Sequence, residues 1–175
     1  LIASITNFGL ETSAVKNIAG ADATGDSKTI STIAGVLRRL TFFTGLLGSL
    51  STLILAPWLS ELTFGNQNYT LAFVWVAITL LLNQLSIGQI VILQGLRKIK
   101  LMAQASLLGS LIGLIIAVPI YYFWGIDGIV PVIILTSCFT LLVSFYFSRK
   151  VKIEKISIEP KTFFTEGKGM ILMGF

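Results

Sequence analysis

Positive charge in this chain is confined to three places, and that confinement limits the fold more than any other feature. All thirteen Lys and Arg residues fall between Lys16 and Arg39, between Arg97 and Lys100, or between Arg149 and Lys168. The two gaps, Arg39 to Arg97 and Lys100 to Arg149, contain no basic residue. Each is long enough for two membrane-spanning helices and a turn, since a span needs about 20 apolar residues. The turns, near Gly65-Asn66-Gln67-Asn68 and Gly125-Ile126-Asp127-Gly128, carry no positive charge. Basic loops stay on the cytoplasmic side of a membrane. The stretch Gln94-Gly95-Leu96-Arg97-Lys98-Ile99-Lys100 therefore reads as a cytoplasmic elbow with a transmembrane hairpin on either side. Asn66 and Asp127 are expected outside, and Arg39, Lys98 and Lys150 inside.

Composition agrees with an all-α, polytopic transmembrane bundle. The chain is 54% hydrophobic and only 12% charged, with a mean hydropathy of +0.87. Soluble domains carry about 25% charge. Disorder is excluded by the same figures. The net charge of +5 follows from the membrane-flanking residues that set orientation, so no nucleic-acid partner is expected. Cys138 is the single cysteine and there is no histidine, which leaves no donor set for zinc. No metal and no cofactor are expected. The chain opens in mid-segment on Leu1-Ile2-Ala3 and closes on an apolar start at Gly169 to Phe175, and it reads as an internal fragment.

Taken in order, residues 1–152 read as one transmembrane lobe. Residues 1–19 form the cytoplasmic end of a truncated helix, with a loop at Gly20 to Gly25. Asp26 or Ser27 can cap the next helix by accepting an orphan backbone N–H. Ile30, Ile33, Leu37 and Leu40 then share a face, and Arg38 and Arg39 mark entry into the bilayer, where basic side chains snorkel to the headgroups; the alternative for these two and Arg97 is a cytoplasmic mouth that attracts an anionic head group. Full spans are expected at about 40–62, 69–96, 101–124 and 129–147. Pro57 predicts a break near the outer end of the first. Pro119 predicts a kink in the third, whose Ala105, Gly109, Gly113 and Ala117 repeat small-xxx-small, a pattern that lets helix backbones approach in lipid. Ser137, Thr140, Ser144 and Ser148 make a hydroxyl stripe on the fourth, read as close packing. Residues 153–168 form a cytoplasmic linker, and 169–175 begin another span.

The chain carries no catalytic constellation: no glycine-rich phosphate loop, no base to activate a serine, no carboxylate pair within a span. It is not expected to be an enzyme. The best candidate for a lined path is a stripe on the second full span. Thr79, Asn83, Ser86, Gln94 and Arg97 fall in a narrow sector around Asn83, whereas Gln84 and Gln89 fall off it. Taken singly, each of these residues also fits interhelical hydrogen-bonding, at about 0.6 kcal/mol per contact. If the stripe lines a path, Asn83 and Gln94 face the interior of the lobe and Arg97 stands at its cytoplasmic mouth.

Three segments resemble one family. Phe8-Gly9-Leu10-Glu11-Thr12-Ser13-Ala14-Val15-Lys16 is similar to the cytoplasmic end of the second helix in bacterial polysaccharide flippases of the Wzx type. Gln94-Gly95-Leu96-Arg97-Lys98 resembles their loop between helices four and five. Tyr121 to Pro131, with Tyr121-Tyr122-Phe123-Trp124 as an aromatic belt, resembles their outer turn between helices five and six. The resemblance covers nearly the whole chain, and its weight lies in the order and spacing of the segments.

The resemblance implies the transporter fold shared with multidrug exporters (the MATE-like MOP superfamily). This chain would be helices two to six of the N-terminal lobe and the start of seven. It implies flipping of an undecaprenyl-diphosphate-linked oligosaccharide across the bacterial inner membrane, for O-antigen, lipopolysaccharide or capsule biosynthesis. Such cavities tend to be cationic, and Lys16 and Arg97 are the positions here that could contribute. Partners would be the lipid-linked oligosaccharide, membrane lipids, a glycan polymerase and glycosyltransferases. The alternatives are a drug or cation antiporter of the same superfamily, for which Glu11 is the nearest acidic candidate, and a non-transporting membrane scaffold subunit.

Overall fold

The computed structural model describes residues 10–151. The expected linker at 153–168, the apolar start at 169–175 and the first nine residues of the truncated helix lie outside that range. Five α-helices follow one another: α1 (Leu10–Ala23), α2 (Ser27–Phe64), α3 (Thr70–Gly95), α4 (Ile99–Trp124) and α5 (Ile129–Arg149). A 3-10 turn, Gly125–Gly128, joins the last two. No strand occurs among the described residues.

Three helical stretches are long and apolar enough to cross a membrane: Ser27–Phe64, Thr70–Gly95 and Ile99–Arg149. The third is not one rod. It reverses at the 3-10 turn, where Gly125 takes φ +53, and its two arms, α4 and α5, lie against each other. Gly128 closes that reversal tightly. A Cβ there would lie 2.9 Å from Ile120 Cγ2 and 3.1 Å from the Ile120 carbonyl oxygen, closer than a side chain can come.

The helix bundle is organised on α3, which touches every other described helix; α2 and α5 flank it, and α4 rests mainly on α5. What is buried changes along the axis. At the basic-elbow end the core is built of large apolar groups: Ala14, Ile18 and Ala21 of α1, Ile33, Val36, Leu37 and Leu40 of α2, and Val91, Ile92 and Leu96 near the end of α3. Farther along α2 the pattern inverts. Thr41, Gly45, Gly48, Ser49, Thr52, Ala56 and Ser60 are buried, while Phe43, Leu47, Ile54 and Trp58 are exposed. Without water, large apolar side chains gain little by turning inward, and small ones let backbones close up. Gly45 sits against Gln84, and Gly88 of α3 sits against Thr41. This small-residue stripe of α2 falls at three- and four-residue spacing, and it is the seam of the α2–α3 pair.

Several helix ends differ from expectation. α1 runs through Gly20 to Ala23 rather than ending at residue 19, because burial of Ile18 and Ala21 in the apolar core rewards the extra turn. It stops in a Schellman turn: Asp26 N–H donates to the Ala21 carbonyl, Gly25 N–H donates to that of Asp22, both at 3.1 Å, and Gly25 takes φ +70. Asp26 is the N-cap of α2, accepting from Thr29 N–H at 3.1 Å and from the Thr29 hydroxyl at 2.6 Å. Those two bonds, the hydroxyl first, lower the Asp26 pKa from 3.8. α2 runs unbroken through Pro57 to Phe64, where a break was expected. The proline stands exposed in the last two turns, and membrane-spanning helices tolerate an internal proline. α4 likewise continues past Pro119 to Trp124.

Candidate functional site

Among the described residues, buried polar groups gather where α3 meets α5 and the start of the α2 span. Ser86 and Ser144 share a hydrogen bond of 2.7 Å between buried hydroxyls. One turn further along each helix, the Ser148 hydroxyl donates to Gln89 Oε1 at 2.9 Å. Arg38, half-buried on α2, reaches across α3 and donates from Nη2 to Ser148 Oγ at 3.4 Å. Its Nε is buried and has no acceptor. The hydroxyl stripe of α5, expected to serve packing alone, is thus also a hydrogen-bonding seam. In a medium without water such bonds hold helices in register, each at about 0.6 kcal/mol.

The five residues of the α3 stripe do not line one surface. Thr79 and Ser86 are buried, and the Thr79 hydroxyl is spent on its own helix, donating to the Val76 carbonyl at 2.8 Å. Asn83, Gln94 and Arg97 are exposed. The expectation that Asn83 and Gln94 face the interior of the lobe does not match their position on the surface of the described bundle. The reason is the crowding of α3. With α2 on one side and α5 on the other, its two covered faces take Gln84 and Gln89, each 5% exposed. The sector of Asn83 and Gln94 is covered by neither. A single-stripe reading misses Gln84 and Gln89 because it allows one inward face. A central helix has two, and two glutamines flanking Ser86 and Gly88 are the available signal.

Asn83 stands at the middle of α3, and its amide makes no hydrogen bond with the described residues. At the end of the same helix Arg97 is held in an unusual backbone conformation. Lys98 N–H donates to the Leu93 carbonyl at 2.9 Å and Arg97 N–H to that of Gln94 at 3.0 Å. This is the Schellman arrangement that ends α1, but with Arg97, φ +53, where α1 has Gly25. A side chain in this left-handed region costs about 1–2 kcal/mol. The strained turn projects the arginine from the elbow.

Lys16 is exposed on α1. It borders a separate open cleft of about 500 Å³ between α1 and the start of α2, with Asn17, Thr24, Thr29 and Ile33. A second cleft, about 330 Å³, runs between α4 and α5 over Gly109, Gly113, Thr136 and Thr140. The small-residue face of α4 meets α5 there: a Cβ on Gly109 would lie 3.7 Å from Thr140 Cγ2, and one on Gly113 3.5 Å from Thr136 Cγ2. No group of His, Cys, Asp or Glu able to hold a metal occurs among the described residues. No known family, no curated protein and no solved structure matches the chain.

Proposed function

We propose that this chain is part of a membrane transporter that moves a polyprenyl-diphosphate-linked oligosaccharide from the cytoplasmic to the outer leaflet of the bacterial inner membrane. The fold would be a MATE-like lobe, and the protein would act without enzymatic chemistry or a cofactor. The observation that carries the reading is Asn83. An amide transferred to hydrocarbon without a partner costs roughly 4–8 kcal/mol. An exposed, unbonded amide at the centre of an apolar helix therefore needs water or further protein beside it, and a polar translocation path supplies both. Gln94 and Arg97 extend the same side of α3 toward the basic elbow. A diphosphate arriving from the cytoplasm meets a guanidinium there, and a charge-assisted hydrogen bond of that kind contributes about 1.5–3 kcal/mol. Glycosyltransferases and a glycan polymerase would supply and consume the substrate.

Glycan export by the full-length protein tests this. Arg97→Gly removes the charge and suits the left-handed turn, so it should insert normally yet lower export. Arg97→Lys should recover part of the loss, because a point charge replaces a fork. Lys100→Ala should change little. Equal export by all three variants would remove Arg97 from the path. Loss of drug or cation exchange with glycan export intact would instead favour the antiporter, and neither defect would leave a scaffold.

A further inference from the structure

Among the described residues, Arg38 is a cation without an anion. The guanidinium is half-buried, its Nε has no acceptor, and its one hydrogen bond reaches a neutral hydroxyl at a long 3.4 Å. No carboxylate pairs with it among the described residues. A charge of the same sign acts on it instead: Arg149, at the end of α5, is close enough for the two to repel. Arg149 is exposed and lies over the Phe145 ring, 4.5 Å from its centroid. Two like charges from different helices thus converge beside Ser148. Arg39 and Lys150 adjoin them in sequence, and among the described residues no acidic one stands within this group. Apolar surface begins immediately beyond. Phe42 and Phe43 on α2 and Phe145 and Tyr146 on α5 are all exposed, as side chains facing acyl chains would be.

We infer that Arg38 and Arg149 form a site for the phosphate of an anionic phospholipid in the cytoplasmic leaflet, seated between α2 and α5 with its acyl chains over the neighbouring aromatic residues. A phosphate supplies the acceptor that the Arg38 Nε lacks and the countercharge that neither guanidinium finds among the described residues, and Arg binds phosphate through its donor fork. A lipid fits better than a soluble anion because the charges sit at the rim of exposed apolar surface, where headgroup and chain are bound together. The site lies on α2 and α5, apart from Asn83 and Arg97, and does not depend on the transported substrate.

The test is lipid binding by the full-length protein in detergent micelles titrated with phosphatidylglycerol, with phosphatidylcholine and inorganic phosphate as the other arms. The wild type should prefer phosphatidylglycerol, and inorganic phosphate at the same phosphate concentration should not displace it. Arg149→Gln, at an exposed position where folding is not at stake, and Arg38→Gln should each weaken that binding roughly fivefold, the usual effect of one basic residue at an anionic surface. Arg39→Gln, exposed on the adjacent position of α2, should weaken it less. Arg149→Gln binding like the wild type would overturn the site. So would an equal effect of all three variants, which would indicate diffuse surface attraction. Displacement by inorganic phosphate would overturn the lipid assignment. Glycan export is not read in this experiment, so the transport proposal can fail while the lipid site stands, and the reverse.

Discussion

Gly95→Ala should loosen the joint between α1 and α3, and the size of the effect follows from one crossing. A Cβ on Gly95 would sit 2.6 Å from Ile18 Cβ and 2.7 Å from Ile18 Cγ2. Ordinary carbon–carbon contact is about 3.5–4.0 Å, so the helices must separate by about 1 Å. Ile18 cannot yield by rotation: the clash is with its Cβ, the root of the side chain, and the residue is fully buried. Overpacking of this kind costs about 1–3 kcal/mol. Gly95 is the last residue of α3, where alanine recovers little of the mid-helix propensity advantage over glycine, which leaves a net loss of about 1–2 kcal/mol. For a chain of this size that is a fall of roughly 2–8 °C in melting temperature. Heating the detergent-solubilised protein at a fixed scan rate reads it. Gly113→Ala is the internal comparison, since its Cβ would meet Thr136 Cγ2 at 3.5 Å, an ordinary contact, and propensity alone should make it neutral or stabilising. Ile18→Ala should fail to rescue Gly95→Ala, because the offending Cβ remains. Equal melting of Gly95→Ala and Gly113→Ala would refute the crossing.

Other outcomes follow from the same geometry. Ser86→Ala and Ser144→Ala should each cost about 0.6 kcal/mol, and the double variant should cost little more than either, as a thermal double-mutant cycle would read. Gly113→Leu should cost about 1–3 kcal/mol by forcing α4 off α5, seen as a lower melting temperature. The Asp26 cap should confer pH dependence: a carboxyl with a lowered folded pKa contributes fully above its unfolded value near 3.8 and loses that contribution as pH falls through the lower folded value. The stability advantage of wild type over Asp26→Ala should therefore shrink below that pH, measured by acid titration of melting. Cysteines at 66 and 127 should react with an impermeant reagent in intact cells and those at 39, 98 and 150 should not, once the half-buried Cys138 is replaced.

The helical plan was legible because bilayer thickness and charge asymmetry are long-range constraints written in one dimension. Four apolar runs between basic clusters place α2 to α5 to within a few residues at most ends. The exceptions are local. α1 outruns its expected end because Ile18 and Ala21 find partners on α2 and α3, contacts that residue spacing does not reveal. Pro57 does not break α2, since a membrane-spanning helix tolerates an internal proline where neighbouring groups satisfy the freed carbonyl. The site was harder to read. A helical projection groups Thr79, Asn83, Ser86, Gln94 and Arg97, but only the packing order decides which sectors of α3 are covered. It buries Thr79 and Ser86 and leaves the other three outside. Arg38, read from sequence as a marker of orientation, acquires its character from Ser148, 110 residues away.

Transport along α3 requires water beside its uncovered face, and water accessibility at Asn83 is the most direct test. In the Cys138-free full-length protein, Asn83→Cys should be labelled in membranes by a water-soluble, membrane-impermeant maleimide. Ile115→Cys, at an exposed mid-helix position of α4, should be labelled only by a lipid-soluble one. Addition of a polyprenyl-diphosphate-linked sugar should slow labelling at position 83. If position 83 resists the aqueous reagent and reacts like position 115, the amide faces lipid and the polar path along α3 does not exist.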